Sequence, residues 1–349
     1  MKNIILIFLI PIIIIACSDD PVYNDNDNSN NYSWLIPVDE VYDGGPGKDG
    51  IPALDSPELI DVDEVKYLEN DDLVLGIVSQ NDIIAYPHKI LDWHEIINTS
   101  PGNIHVAITY CPLTGTGIGW NREINGSVTT FGVSGLLYNS NLIPYDRQTD
   151  SNWSQIGLDC VYGLRAGTNI EVINIIETNW ETWKSMYPNS KVVSTNTGYT
   201  RNYDSYPYGT YKTNESLIFP VNPLDNRLHI KERVHGIIIN DQAKTYRFSS
   251  FSNSRFSIIE DEFQNKDLLI IGSQNENLIV SFINETTLNF QIVQDQLPII
   301  LEDNEGNSWD IWGNAVSGPR EGEELKSTIS FMGFWFAWGA FYPDAEIYN

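Results

Sequence analysis

The residues able to do chemistry in this chain crowd between His88 and Trp153. In the stretch "HVAITYCPLTGTGIGW" an alternating apolar run ends on Cys111, then turns through Pro112 into a loop of Gly and Thr. A thiol at a strand end, beside free backbone N–H groups, can lose its proton and act as a nucleophile or a metal ligand. His94, in "DWHEIIN", offers such a thiol a general base or a second ligand, and His88 would be a third ligand. The two histidines stand six positions apart, which does not suit one helix face, so a shared metal needs a turn between them. The plainer reading makes Cys111 a small buried residue and His94 a hydrogen-bonded packing residue beside Trp93. Asp146 and Arg147 could orient or clamp a substrate, the guanidinium gripping an anion bidentately, although a buried Arg also commonly has a structural acid partner. Thr114, Tyr138, Asn139 and Trp153 are the neighbouring groups a substrate would touch.

Several other chemistries lack their residues. "VSGLLYNSN" has no Gly-x-Ser-x-Gly elbow for a serine hydrolase. Thr114 fills the fourth position of the Cys-Pro-x-x run, so no internal disulfide can form there. Gly115, Gly117 and Gly119 lack the following helix that a dinucleotide site requires. No EF-hand spacing of acidic residues offers calcium a loop. A transition metal is the cofactor this chemistry would use, and nothing in the sequence demands one.

The start of the chain predicts where this chemistry would operate. After Lys2 comes an apolar run, Ile4 to Ala16, too short to span a bilayer and right for a secretory signal peptide over residues 1–16. Ile14-Ile15-Ala16-Cys17 matches the bacterial lipoprotein cleavage box, so Cys17 is the expected lipidation site and the membrane a partner through that anchor. Residues 17–39 then form a polar, Asn/Asp-rich tether. The expected location is the bacterial cell envelope, as an outer-membrane or cell-surface lipoprotein outside the cytoplasm. With 47 acidic and 20 basic residues the formal charge is −27, which excludes nucleic acid as a partner. Lipidation of Cys17 leaves Cys111 and Cys160, and whether they pair is open.

The elements that must position these residues are written twice. "VLGIVSQNDIIAYP" from Val74 is answered by "VHGIIINDQAKTYR" from Val234, "WSQIG" from Trp153 by "WDIWG" from Trp309, and "WETWKSMYP" from Trp180 by "WFAWGAFYP" from Trp335. The blocks keep their order at separations of 160, 156 and 155 residues, the mark of a tandem duplication. Alternating runs bounded by turn residues predict strands. The Trp-x-x-Trp-x-x-x-Tyr-Pro blocks predict a short helix stopped by Pro188 or Pro343. The expected fold is β-rich α+β: two duplicated sheet or barrel-like repeats, 40–215 and 216–349, each ending in a Trp-x-x-Trp helix and packed together. Only the first copy carries the cysteine loop and "WHE", so the second reads as scaffold.

Five blocks, "IPALDSPELI", "AYPHKILDWHEIIN", "AITYCPLTGT", "FGVSGLLYNSNLIPYDRQTDSNWSQ" and "YPYGTY", together with the closing "WFAWGAFYPD", resemble domain-of-unknown-function family 3179 over about residues 40 to 349. Members similar at the cysteine loop carry a second cysteine, or a selenocysteine, where Thr114 stands here, and the resemblance therefore implies redox or metal chemistry at that loop. The leading expectation is a lipid-anchored envelope protein with a thiol-based redox or metal site at Cys111 and His94. A non-catalytic surface module binding a ligand through exposed Tyr and Trp is the alternative, and a Cys-His hydrolase the third.

Overall fold

A computed structural model describes residues 32–252 and 254–348. The expected signal peptide, Cys17 and the first part of the expected tether fall outside the described residues. The end of the tether lies against the body: the Trp34 ring stacks on Tyr162 at 4.8 Å and the Leu35 N–H donates to the Val161 carbonyl at 2.9 Å.

The described chain is β-rich, with three α-helices of seven residues each: α1 (His88–His94), α2 (Trp180–Met186) and α3 (Trp335–Phe341). Its strands form several sheets, all of them open among the described residues, so the barrel-like closure expected from the sequence does not occur. Among the described residues the sheets stop at two, four or five strands.

Two sheets are built on an apolar hairpin. Leu73–Ser79 pairs with Asp82–Pro87, flanked by antiparallel Ile176–Asn179 and by parallel Lys191–Val193. Arg233–Ile239 pairs with Gln242–Arg247, flanked by antiparallel Ile329–Phe334 and parallel Glu346–Ile347. Asn240 and Asp241 both take positive φ, the turn that matches strand twist. Helix α2 starts where Ile176–Asn179 ends, the Asn179 side chain accepting the Thr182 N–H at 2.8 Å. Gly76 is small because the Trp183 ring lies over it: a Cβ there would run into the indole, and one at Gly236 would run into Trp338.

Cys111 belongs to another sheet, in which Val106–Cys111 lies between Ile96–Thr99 and Thr116–Asn121. Beside it the meander Phe131–Tyr138, Asn141–Asp146, Asn152–Ser154, Asp159–Tyr162 covers one face, with a bulge between Val133 and Leu137. The cores between layers draw on both ends of the chain. One gathers Cys111, Trp120, Phe131 and Trp153 with Val234, Phe331, Trp335 and Trp338. Another gathers Val74, Trp180 and Trp183 with Phe256, Leu269, Ile300 and Trp309.

A buried charge cluster ties these layers. Arg233 is ion-paired to Glu177 and donates to Asn277 Oδ1 at 2.6 Å, while His88 Nε2 stands 3.3 Å from the second Glu177 oxygen. Burial holds His88 well below the usual histidine range, helped by Lys212 and Arg233, so it is neutral near pH 7. Removing the cation alone leaves a carboxylate sealed in the fold. Arg233→Met is therefore expected to lose about 3–5 kcal/mol of stability, read as a lower urea midpoint.

Candidate functional site

Cys111 closes its strand on a four-residue turn. The Gly115 N–H returns to the Cys111 carbonyl at 2.8 Å, with Gly115 at φ +63°, where a glycine carries no strain. A sealed polar network fixes the turn from behind. Thr114 Oγ1 sits 2.8 Å from Thr116 Oγ1 and accepts from Asn141 Nδ2 at 2.9 Å. The same amide reaches Gln155 Oε1 at 2.7 Å, and Gln155 Nε2 donates to Thr109 Oγ1 at 3.0 Å. The far end of the chain pins the turn too, through the Phe334 N–H and the Thr114 carbonyl at 2.8 Å.

The sulfur is 1 % exposed and donates to the Ser140 carbonyl at 3.6 Å. Burial pushes the thiol up to about 11, with the Glu95 carboxylate adding to the rise. The Thr114 hydroxyl and the backbone N–H groups of Thr114 and Leu142 pull it the other way. These three donors would hold a thiolate once formed.

Glu95, not His94, shares a space with this sulfur. A cavity of about 40 Å³ is lined by Cys111, Glu95, Leu113, Val133, Leu142 and Tyr208 among others. Glu95 follows the last residue of α1 in the left-handed region, φ +56°, with its N–H on the Leu91 carbonyl at 2.8 Å and its own carbonyl accepting the Tyr110 N–H at 2.7 Å. A non-glycine residue held there stores about 1–3 kcal/mol of strain. That turn aims a carboxyl 5 % exposed into an apolar hole. The Tyr208 hydroxyl donates to its Oε1 at 3.3 Å, and among the described residues Oε2 accepts no hydrogen bond. Burial pushes the Glu95 carboxyl up to about 8, opposed by Tyr208 and reinforced by Asp92. Near pH 7 it is largely a neutral acid.

That shift has a consequence for stability. With its folded pKa raised from 4.5 to about 8, Glu95 binds its proton more tightly in the native state. Its stabilising share is complete below about pH 4.5 and is lost as pH rises through 8, on the order of 5 kcal/mol in all. Thermal melts of Glu95→Gln and the parent should diverge as pH rises from 5 to 9, the Gln protein being the more stable at the alkaline end.

The structure does not bring His94 to the thiol. His94 Nδ1 is 2.7 Å from the Pro52 carbonyl and Nε2 is 2.7 Å from the Tyr203 hydroxyl, so both ring nitrogens are engaged elsewhere. With His88 at Glu177, the ligand set Cys111, His94 and His88 is not gathered. Among the described residues no three His, Cys, Asp or Glu groups stand close enough to hold a metal ion. Cys111 and Cys160 are separate free thiols, and Cys160 Sγ donates to the Asn152 carbonyl at 3.3 Å.

Asp146 caps its own turn, accepting the Thr149 N–H at 2.8 Å and Trp153 Nε1 at 3.1 Å. Arg147 reaches Asp55 at 3.2 Å and Asp49 at 3.4 Å, on the surface. The Trp153 ring is core, edge-on to Phe131. Tyr138 packs against Phe341, and Asn139 Oδ1 accepts the Asn222 N–H at 2.8 Å. None of these four, nor Arg147 or Thr114, lines the cavity. Sequence reasoning passed over Glu95 as a partner for the thiol and over Tyr208. The clue was present in "YPYGTY", whose tyrosines meet the cysteine loop: Tyr206 donates to the Pro112 carbonyl at 3.1 Å and Tyr211 to the Leu113 carbonyl at 2.9 Å.

A family model described as "Protein of unknown function (DUF3179)" matches residues 48–345. No curated protein and no solved structure matches the chain.

Proposed function

This chain belongs to the DUF3179 family, and within it we propose a lipid-anchored envelope protein that performs thiol chemistry in the Cys111–Glu95 cavity. The observation that carries the reading is the shared cavity: a sulfur with three donors around it and a strained, proton-holding carboxyl face the same small apolar space. In its ionised form, which grows as pH rises toward 8, Glu95 takes the thiol proton as the sulfur attacks, the role the sequence suggested for His94. The reactant is small, because about 40 Å³ admits only a few heavy atoms. It is uncharged where it meets the sulfur, because no Lys or Arg lines the space. In an addition to a carbonyl, for example, the S–C bond forms, the C=O π pair moves to oxygen, and the proton taken by Glu95 is returned there. His94 positions the site, linking the Pro52 carbonyl to Tyr203.

The site stands on one copy of a duplicated scaffold in this reading. Support comes from matching strand orders, Ile176–Asn179 against Ile329–Phe334 and Lys191–Val193 against Glu346–Ile347 around equivalent hairpins. Trp183 over Gly76 corresponds to Trp338 over Gly236, and the Asp146–Trp153 bond to an Asp303–Trp309 bond of 2.8 Å. The Phe334 N–H on Thr114 corresponds to the Asn179 N–H on the Glu276 carbonyl. At the position equivalent to Cys111, each closing a hairpin, the second copy has Ser273. Asp146 and Trp153, present in both copies, are scaffold on this argument.

Thiol chemistry is favoured over an aromatic ligand platform because none of the ten tryptophans is exposed and eight are buried. The lipid anchor rests on the cleavage box before Cys17. Treating the native full chain with iodoacetamide and mapping the adducts tests the site: Cys111 is expected to react and Cys160 to stay free. Modification of neither until the chain is unfolded would remove the proposal.

A further inference from the structure

Residues 195–229 cross the cavity as a long irregular segment whose attachment differs from that of the rest of the fold. Before it, the Ser194 N–H bonds the Glu58 carbonyl at 2.8 Å; after it, the Phe336 N–H bonds the Ile230 carbonyl at 2.9 Å. Between these two points every backbone-to-backbone hydrogen bond spans only three residues, and none reaches another segment. Apart from Tyr203 and Tyr211, no side chain in the segment is buried. Everything that holds it down involves side chains. Tyr206 and Tyr211 donate to the carbonyls that follow Cys111, Tyr208 donates to Glu95, and Lys212 Nζ lies 3.0 Å from the buried Asp92. Ser140 Oγ donates to the Phe219 carbonyl at 2.9 Å. Tyr208 and Phe219 form part of the cavity wall.

We infer that this segment is a lid, hinged near Ser194 and Ile230, which must lift for a reactant to reach Cys111. Structureless stretches of this length inside a compact fold are uncommon and often serve as covers over sites. Segments without ladder bonds open at lower free energy than paired strands; here Tyr206, Tyr208, Leu217, Phe219 and Val221 pack on the core from its edge, only partly buried. With Cys111 1 % exposed, no reactant meets its sulfur until some wall moves. The irregular wall of residues 44–51 is tied by the Gly44 and Asp49 N–H groups to the Gly135 and Val133 carbonyls, whereas this one has no backbone-to-backbone bond to another segment. The tyrosines hold the lid by the same loop and carboxyl that do the chemistry, so opening also releases Glu95 Oε1 from Tyr208. The inference rests on the thiol reading above, and it adds when that thiol is available.

The test is the rate at which iodoacetamide modifies Cys111 in the full chain. Tyr206→Phe/Tyr211→Phe keeps both rings and deletes the two hydroxyl ties; Lys212→Ala removes the ion pair from outside. Both are expected to raise the rate at least tenfold, the tyrosine pair with a melting temperature close to the parent's and Lys212→Ala with a lower one, because it leaves the buried Asp92 unpaired. Tyr187→Phe, which loses a bond to Trp312 in the other core, should leave the rate unchanged. If the parent reacts readily and the lid variants react no faster, the lid is overturned and the thiol site stands. If no variant reacts although the unfolded chain does, both fall.

Discussion

Expressed separately, residues 40–215 and 216–349 stay unfolded, and mixing or co-expressing them restores a folded complex. The cores require it. The layer behind Cys111 contains Trp335 and Trp338 from the end of the chain, and the layer behind Trp309 contains Trp180 and Trp183 from the middle. A buried Trp removes about 150–250 Å² from water, worth about 4–6 kcal/mol at 25 cal/mol per Å². Losing two from either core takes away as much as the whole net stability of a typical domain, about 5–15 kcal/mol. The split also exposes Glu177 without Arg233. Near-ultraviolet circular dichroism and trypsin resistance of each piece check this; a half that folds cooperatively alone would refute the shared-core account.

The β-rich class was legible because runs such as "HVAITYC" and "VLGIVS" alternate or stay apolar for a strand's length, and those stretches are strands here. The place of Cys111 was legible as well, since a cysteine ending a strand before Pro and a glycine turn is a local pattern. The residue beside it in the cavity was not. His94 and Glu95 are adjacent, and which of them faces the sulfur depends on a left-handed φ at Glu95 that no glycine announces. Asp146 looked like chemistry because a carboxylate capping its own turn has the same composition as one awaiting a substrate. Arg147 finds Asp49 and Asp55 nearly a hundred positions earlier, a pairing that spacing cannot reveal. The tyrosines of "YPYGTY" meet carbonyls more than ninety positions earlier, a contact that spacing does not announce.

The pH dependence of Cys111 reactivity separates a working carboxyl from a merely buried one. At pH 6 Glu95 is protonated and the thiol, whose pKa is about 11, is a poor nucleophile. Above pH 8 the carboxylate is present and can accept the thiol proton as the new bond forms. General-base help of this kind is typically worth about 10²–10⁴ in rate. Replacing Glu95 by Gln removes the base, and it also removes a negative charge that raises the thiol's pKa. The two effects have opposite signs, so the direction of the change is diagnostic.

The decisive measurement is therefore the second-order rate of Cys111 alkylation by iodoacetamide from pH 6 to 10, in the parent and in Glu95→Gln. A parent curve that steps up near pH 8, with a Gln curve at least tenfold lower and lacking that step, is the expected result. A Gln protein that reacts as fast as the parent or faster would mean that Glu95 only repels a thiolate, and the proposed proton transfer would be wrong.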